Sequence, residues 1–186
     1  YGPTRAPDGH PSKSWGVGKA IDGDDHSKFF NFVMIGSGFT VTFSEQVVMN
    51  NIVFTASNGC TDRYRRCPTQ VEIWGSNQSS QNGFKLIANV DLSLPANANW
   101  GSVYGGGDGD DFSNSEAYTH YRVVITDVDD KSRANSFEFA EVEFYNTGAT
   151  STPTMGALPF PTSGGTSPTN TDQKQGTEEP KATKLF

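Results

Sequence analysis

Basic residues are scarce: 14 lysines and arginines stand against 21 aspartates and glutamates, a net charge of −7. Nothing along the chain offers the basic stripe that phosphate binding needs, which argues against a nucleic-acid partner. Long apolar runs are also missing, and none approaches the roughly 18 residues of a membrane-spanning helix. The only histidines are His10, His26 and His120. Neither a nucleophile elbow nor a zinc-type spacing accompanies them, so the chain reads as a non-enzyme. A glycoside-cleaving carboxylate pair is the rival, but the acidic residues suit a cation better, and Glu138 and Glu143 are expected on a solvent face. There are two cysteines, Cys60 and Cys67, seven apart in one loop. A small-loop disulfide formed in an oxidising compartment is the first reading. Free thiols or a pair of metal ligands are the alternatives, the second weakened by the lack of neighbouring histidine. The chain starts at Tyr1 rather than Met, and a processed N-terminus behind a signal peptide is expected.

What is plentiful is glycine, Ser, Thr and Asn, with short runs of β-branched and aromatic residues. Phe39-Thr40-Val41-Thr42-Phe43 alternates strictly, as a half-buried strand does. Strands are also expected over Val47–Ala56, Phe84–Val90, Tyr118–Thr126 and Phe137–Tyr145, rich in the residues that pleated surfaces favour. Residues 91–117 are a long polar excursion. Its Gly105–Asp111 segment matches one copy of a GGxGxD calcium repeat, which without stacked neighbours reads as an acidic loop. Seven or eight short strands with frequent turns predict an all-β sandwich. Residues 1–14 form an irregular lead-in, 15–146 the domain and 147–186 a tail.

The densest stretch is Lys19-Ala20-Ile21-Asp22-Gly23-Asp24-Asp25-His26-Ser27. It sets three carboxylates, a glycine and a hydroxyl within six residues, ahead of Lys28-Phe29-Phe30. Such a loop repels itself unless a cation sits among its oxygens, and Ca²⁺ takes six to eight of them. A solvated acidic turn is the alternative.

Taken with Ala140-Glu141-Val142-Glu143-Phe144-Tyr145 near the end of the domain, this loop resembles the discoidin-like (F5/8 type C, galactose-binding-like) β-sandwich family, which includes many carbohydrate-binding modules. Ala20, Asp22, Gly23 and Ser27 fall on that family's early loop pattern; Lys19 replaces its usual Asn, and phenylalanines follow where Trp is common. Arg66, Pro68 and Gly75-Ser76-Asn77 match a middle segment, with Cys67 standing where Asp is usual. The resemblance implies a jelly roll of two antiparallel sheets with binding loops at one end. It implies a structural calcium held by the Lys19 carbonyl, Asp22, Asp24, Ser27, the Ala140 carbonyl and Glu141. It also implies glycan contacts from loop side chains, for which Arg63, Tyr64, Arg65, Trp100 and Tyr104 are the candidates.

Composition changes after Tyr145. Residues 146–186 hold thirteen Ser or Thr, too little apolar surface to offset the entropy of ordering. The Ser/Thr/Pro content reads as an extended stalk without regular secondary structure, open to O-glycosylation, and Asn77-Gln78-Ser79 is an N-glycosylation sequon. Against the stalk reading stand the apolar Met155–Pro161 patch and the terminal Leu185-Phe186. An extended segment with apolar points can add to a sheet edge, and a head-to-tail contact between copies propagates into a fibre. The expectation is an extracellular structural or adhesion protein, a calcium-stabilised head whose tail, residues 147–186, packs on a neighbouring copy. The alternative is a carbohydrate-binding module of a secreted protein followed by a flexible linker.

Overall fold

A computed structural model describes residues 15–147, apart from 34, 61, 63 and 106–111, together with the backbone of Thr183–Lys184. The lead-in, the GGxGxD segment beyond Gly105 and the apolar patch of the tail lie outside the described residues.

The described chain is a β-sandwich. Its strands are β1 (Phe29–Asn31), β2 (Ser37–Val47), β3 (Asn51–Thr55), β4 (Pro68–Ser76), β5 (Lys85–Asp91), β6 (Val103–Gly105), β7 (Tyr118–Val128), β8 (Phe137–Phe139), β9 (Glu141–Asn146) and β10 (Thr183–Lys184). One antiparallel sheet runs β2-β7-β4-β5 and the other β10-β9-β3-β6, while β1 pairs with β8. The alternation in β4 and β7 explains the core. Val71 and Ile73, and Tyr121, Val123 and Ile125, are fully buried and face the opposite sheet. There they meet a phenylalanine cluster in which Phe54 and Phe139 stand edge-to-face at 4.9 Å and Phe29 and Phe139 at 5.5 Å. The Tyr121 hydroxyl is paired despite its burial: it donates to the Val47 carbonyl at 2.8 Å and accepts from the Met49 N–H at 3.1 Å.

Three strand expectations are corrected. The run from Val47 to Ala56 is not one strand: Val47 ends β2, and β3 covers only Asn51–Thr55. The polar excursion contains β6, paired with β3. The last strand is two: β8 pairs with β1, then the Ala140 N–H donates to the Thr55 carbonyl at 2.8 Å and β9 continues along β3. The tail is not wholly irregular either, since Thr183 and Lys184 pair antiparallel with Asn146 and Tyr145 at the β9 edge.

Candidate functional site

The crossover at Ala140 sets two glutamates on either side of it, and each organises a site. Glu138 is fully buried, not on a solvent face as its position suggests. An ionised carboxylate is tolerated there only if paired. Lys28, just ahead of β1, donates to its Oε1 at 3.1 Å and to Asn58 Oδ1 at 2.9 Å. Arg66 donates to its Oε2 at 2.9 Å, and Ser57 Oγ to Oε1 at 2.8 Å. A Cβ on Gly59 would run into the Glu138 side chain, so only glycine lets the 58–60 turn pass over it.

Aromatic rings interleave with these cations. Lys28 Nζ lies 5.8 Å from the Trp15 ring and 5.5 Å from Phe30, and the Arg66 guanidinium lies 5.1 Å from Phe30 and 4.2 Å from Tyr64. The series Trp15–Lys28–Phe30–Arg66–Tyr64 thus lines the loop end of the sandwich, with Trp15 44% exposed. The Cys60–Cys67 disulfide closes the loop that carries Tyr64 and Arg66. Within that loop Asp62 Oδ1 accepts the Tyr64 N–H at 2.7 Å, and Arg65 takes a left-handed φ of 51° while its guanidinium pairs with Asp129. For a long side chain this conformation is uncommon and is held by its surroundings.

Of the expected glycan contacts, Tyr64 and Arg65 belong to this loop, and Arg63 lies outside the described residues. Trp100 stands apart, its indole N–H donating to the Asp25 carbonyl. Tyr104 is a correction. It is 4% exposed and packs on Phe54 at 5.8 Å, so its ring is core and offers no face to a sugar; burial also pushes its hydroxyl pKa up. Sequence reading missed Lys28, Phe30 and Glu138, whose partners lie far along the chain. Asn77 is exposed, with its Nδ2 donating to the Ala117 carbonyl at 2.9 Å and its Oδ1 accepting the Thr119 N–H at 2.8 Å.

Glu141 organises the acidic loop. The turn Val17–Ala20 buries Ala20, and Gly23, at a φ of 74°, donates its N–H to Glu141 Oε2 at 3.2 Å. Asp22 accepts from Ser27 Oγ at 3.0 Å and from the Lys19 ammonium at 2.5 Å. Against the pull of burial, the Lys19 and Ser27 hydrogen bonds hold the Asp22 carboxyl below its usual range. Burial first, and the Asp22 charge second, push the Glu141 pKa up to about 7. Asp22, Ser27 and Glu141 therefore lie close together. Asp24 Oδ1 accepts the His26 N–H at 3.0 Å, and Lys19 contributes its side chain, where the resemblance implied only its carbonyl.

No protein-family model matches the chain, and no curated protein matches it. Solved structures do. The CBM32-1 and CBM32-2 domains of ZmpB from Clostridium perfringens align at a TM-score of 0.51 and 20% identity over 77% of this chain and 32% of that one. This chain thus spans about a third of the length of that structure. The CpGH89CBM32-5 module of C. perfringens, in complex with GalNAc-beta-1,3-galactose, aligns at 0.48 and 19% over 72% of this chain and 86% of its own. The family 32 module of C. perfringens NanJ, in complex with galactose, aligns at 0.48 and 14% over 73% and 88%. The sheet order and the first of these alignments give one result: the chain has the discoidin-like β-sandwich fold of the CBM32 domains.

Proposed function

We propose that this chain is a non-catalytic carbohydrate-binding module of a secreted or cell-surface protein. The observation that carries the reading is the loop-end series of Trp15, Phe30 and Tyr64 rings interleaved with Lys28 and Arg66, both anchored on buried Glu138. A sugar ring needs an aromatic face for its C–H side and fixed polar donors for its hydroxyls, and a preformed site with both holds it without large ordering cost. The Cys60–Cys67 bridge supports an oxidising compartment. Calorimetry with galactose, GalNAc and a wider oligosaccharide panel tests the reading. Binding that Tyr64→Ala weakens about tenfold is the expected result, the scale of losing an aromatic anchor. Silence across a broad glycan array overturns it.

Calcium enters this proposal as a staple. Glu141 is 6% exposed beside Asp22, an arrangement that fits a cation drawing on Asp22, Asp24, Ser27, Glu141 and the carbonyls of Lys19 and Ala140. Such an ion would tie the acidic loop to β9 and supply charge, not chemistry.

The pairing of β10 with β9 favours a second reading, self-association. Thr183–Lys184 lie as a strand on a sheet edge, and the same edge would accept that strand from a neighbouring copy, extending into a fibre if the contact does not close. Electron microscopy of the full chain beside one ending at Tyr145 tests it. Filaments from the longer chain alone support assembly; identical particles from both remove it.

A further inference from the structure

Strand β4 turns Glu72 and Trp74 away from the core, and β7 turns Arg122, Val124 and Thr126 the same way, with Trp74 opposite Arg122 and Glu72 opposite Val124. Period-two alternation predicts that this face meets solvent. Instead, Val124 is only 7% exposed although it lies outside the core cluster. It is the floor of a cleft of about 560 Å³ on the outer face of sheet β2-β7-β4-β5.

The loop between β4 and β5 makes one wall. The Arg122 guanidinium lies 3.8 Å from the Phe84 ring centre, and its Nη2 reaches the carbonyls of Ser80 and Gln81 at 3.4 Å. Ser79 Oγ accepts the Gln81 and Asn82 N–H groups at 3.2 and 3.0 Å, and Ser76 Oγ donates to the Asn82 carbonyl at 2.6 Å. The wall is therefore pinned at both ends. The β4–β5 ladder shifts register between Ile73 and Trp74, the kind of irregularity that re-aims a side chain. Trp74 Nε1 then donates to Glu72 Oε2 at 3.0 Å, which fixes the indole before any ligand arrives.

The lining combines two aromatic rings with a carboxylate, a guanidinium, two amides and the Thr126 hydroxyl. A simple anion would be drawn by Arg122 and repelled by Glu72, and a simple cation the reverse. A wholly apolar ligand would cover the Glu72 carboxylate and the Arg122 guanidinium and take both away from water. A pyranose meets both demands: one face is C–H and packs on a ring, and its hydroxyls donate to Glu72 while accepting from Arg122 and the amides. We infer that this cleft is a second carbohydrate site, taking one or two neutral sugar rings, and that it is built from elements separate from the loop-end series. Its volume falls within the few hundred to about 1,000 Å³ of small-ligand sites. Two sites on one module let it hold two stretches of glycan at once, which raises avidity without new contacts.

The three tryptophans separate the two sites, because Trp74 borders the cleft while Trp15 and Trp100 stand at the loop end and the acidic loop. The full chain, labelled with ¹⁵N, is titrated with lactose, galactobiose, cellotriose and chitotriose to millimolar concentration, and the indole N–H resonances are followed. The expected result is a saturable shift of the Trp74 resonance with at least one of these probes. That shift survives Tyr64→Ala, weakens about tenfold in Trp74→Ala when read by calorimetry, and weakens also in the milder Thr126→Val. A Trp74 resonance that no probe moves overturns the inference, and so does a Trp74 shift abolished by Tyr64→Ala. Movement of Trp15 alone leaves the loop-end reading standing and removes the cleft. Movement of Trp74 alone does the opposite.

Discussion

Glu138 and Glu141 are the same residue type, three positions apart, and both are buried. Their surroundings are opposite. Glu138 receives Lys28, Arg66 and Ser57, so the chain itself closes the charge. Glu141 receives a backbone N–H from Gly23 and faces the Asp22 carboxylate, and its pKa rises to about 7. The crossover at Ala140 produces the difference, because it hands the chain from β1 to β3 and so points the two side chains at different loops. One glutamate is closed by the chain's own cations; the other, on the calcium reading proposed above, would receive one from outside.

The largest test of that contrast removes the closed charge. Glu138→Ala leaves Lys28 and Arg66 without their shared partner, and breaking a buried pair this way costs about 3–5 kcal/mol. For a domain of this size that lowers the thermal midpoint by about 10 °C or more. Calcium should not restore it. If Glu138→Ala melts within a degree or two of the parent, the loop-end charges are not coupled to folding.

Next comes the open charge. In the proposed site, calcium at a hundred times its dissociation constant should stabilise by about 2.7 kcal/mol, and a chelator should take that away. Glu141→Gln should abolish the difference between the calcium and chelator melts, because it removes a carboxylate that the proposed site would use to hold the ion. A melt indifferent to chelator would place Glu141 beside Glu138 as a charge the fold already tolerates, and the contrast would fail.

The disulfide sharpens the comparison on the closed side. Cys60 and Cys67 are separated by 7 positions, and closing so short a loop stabilises by about 2.5 kcal/mol in the chain-entropy account. Replacing both by Ser should lower stability by roughly that amount. It should also loosen Arg66 and Tyr64, so sugar binding falls while calcium stabilisation is unchanged. Equal losses in both would mean that the two sites are mechanically one.

The sequence made the sheets legible where one face alternates, as in Phe39–Phe43 and Tyr118–Ile125, and the acidic loop legible by its oxygen density. Asp22, Ser27 and Glu141 lie close together, because the loop and β9 are both local patterns that only had to be brought together. Glu138 was expected on a solvent face because it is charged, whereas β8 lies against β1 with Lys28 and Arg66 over it. Tyr104 was misread because its loop carries a short strand, β6, that sends the ring inward onto Phe54. Trp74 went unnoticed although an outward tryptophan on a regular strand is itself a signal. What turns it into a cleft is the β4–β5 loop folding back to Arg122, a contact between residues about 40 positions apart.

The smallest effect lies at Lys19. Its ammonium sits on Asp22 at 2.5 Å, so the open site is partly answered by the chain's own cation. In the proposed site, an incoming calcium would displace that ammonium while keeping the Lys19 carbonyl. Lys19→Met removes the competitor and leaves the backbone, so calcium should bind a few-fold more tightly, and the gain should shrink as salt screens the loop. Calorimetric titration at low and high ionic strength checks both points. Weaker binding in the variant would mean that Lys19 orders Asp22 for the ion instead of competing with it. The contrast between the two glutamates would then be one of geometry and not of charge.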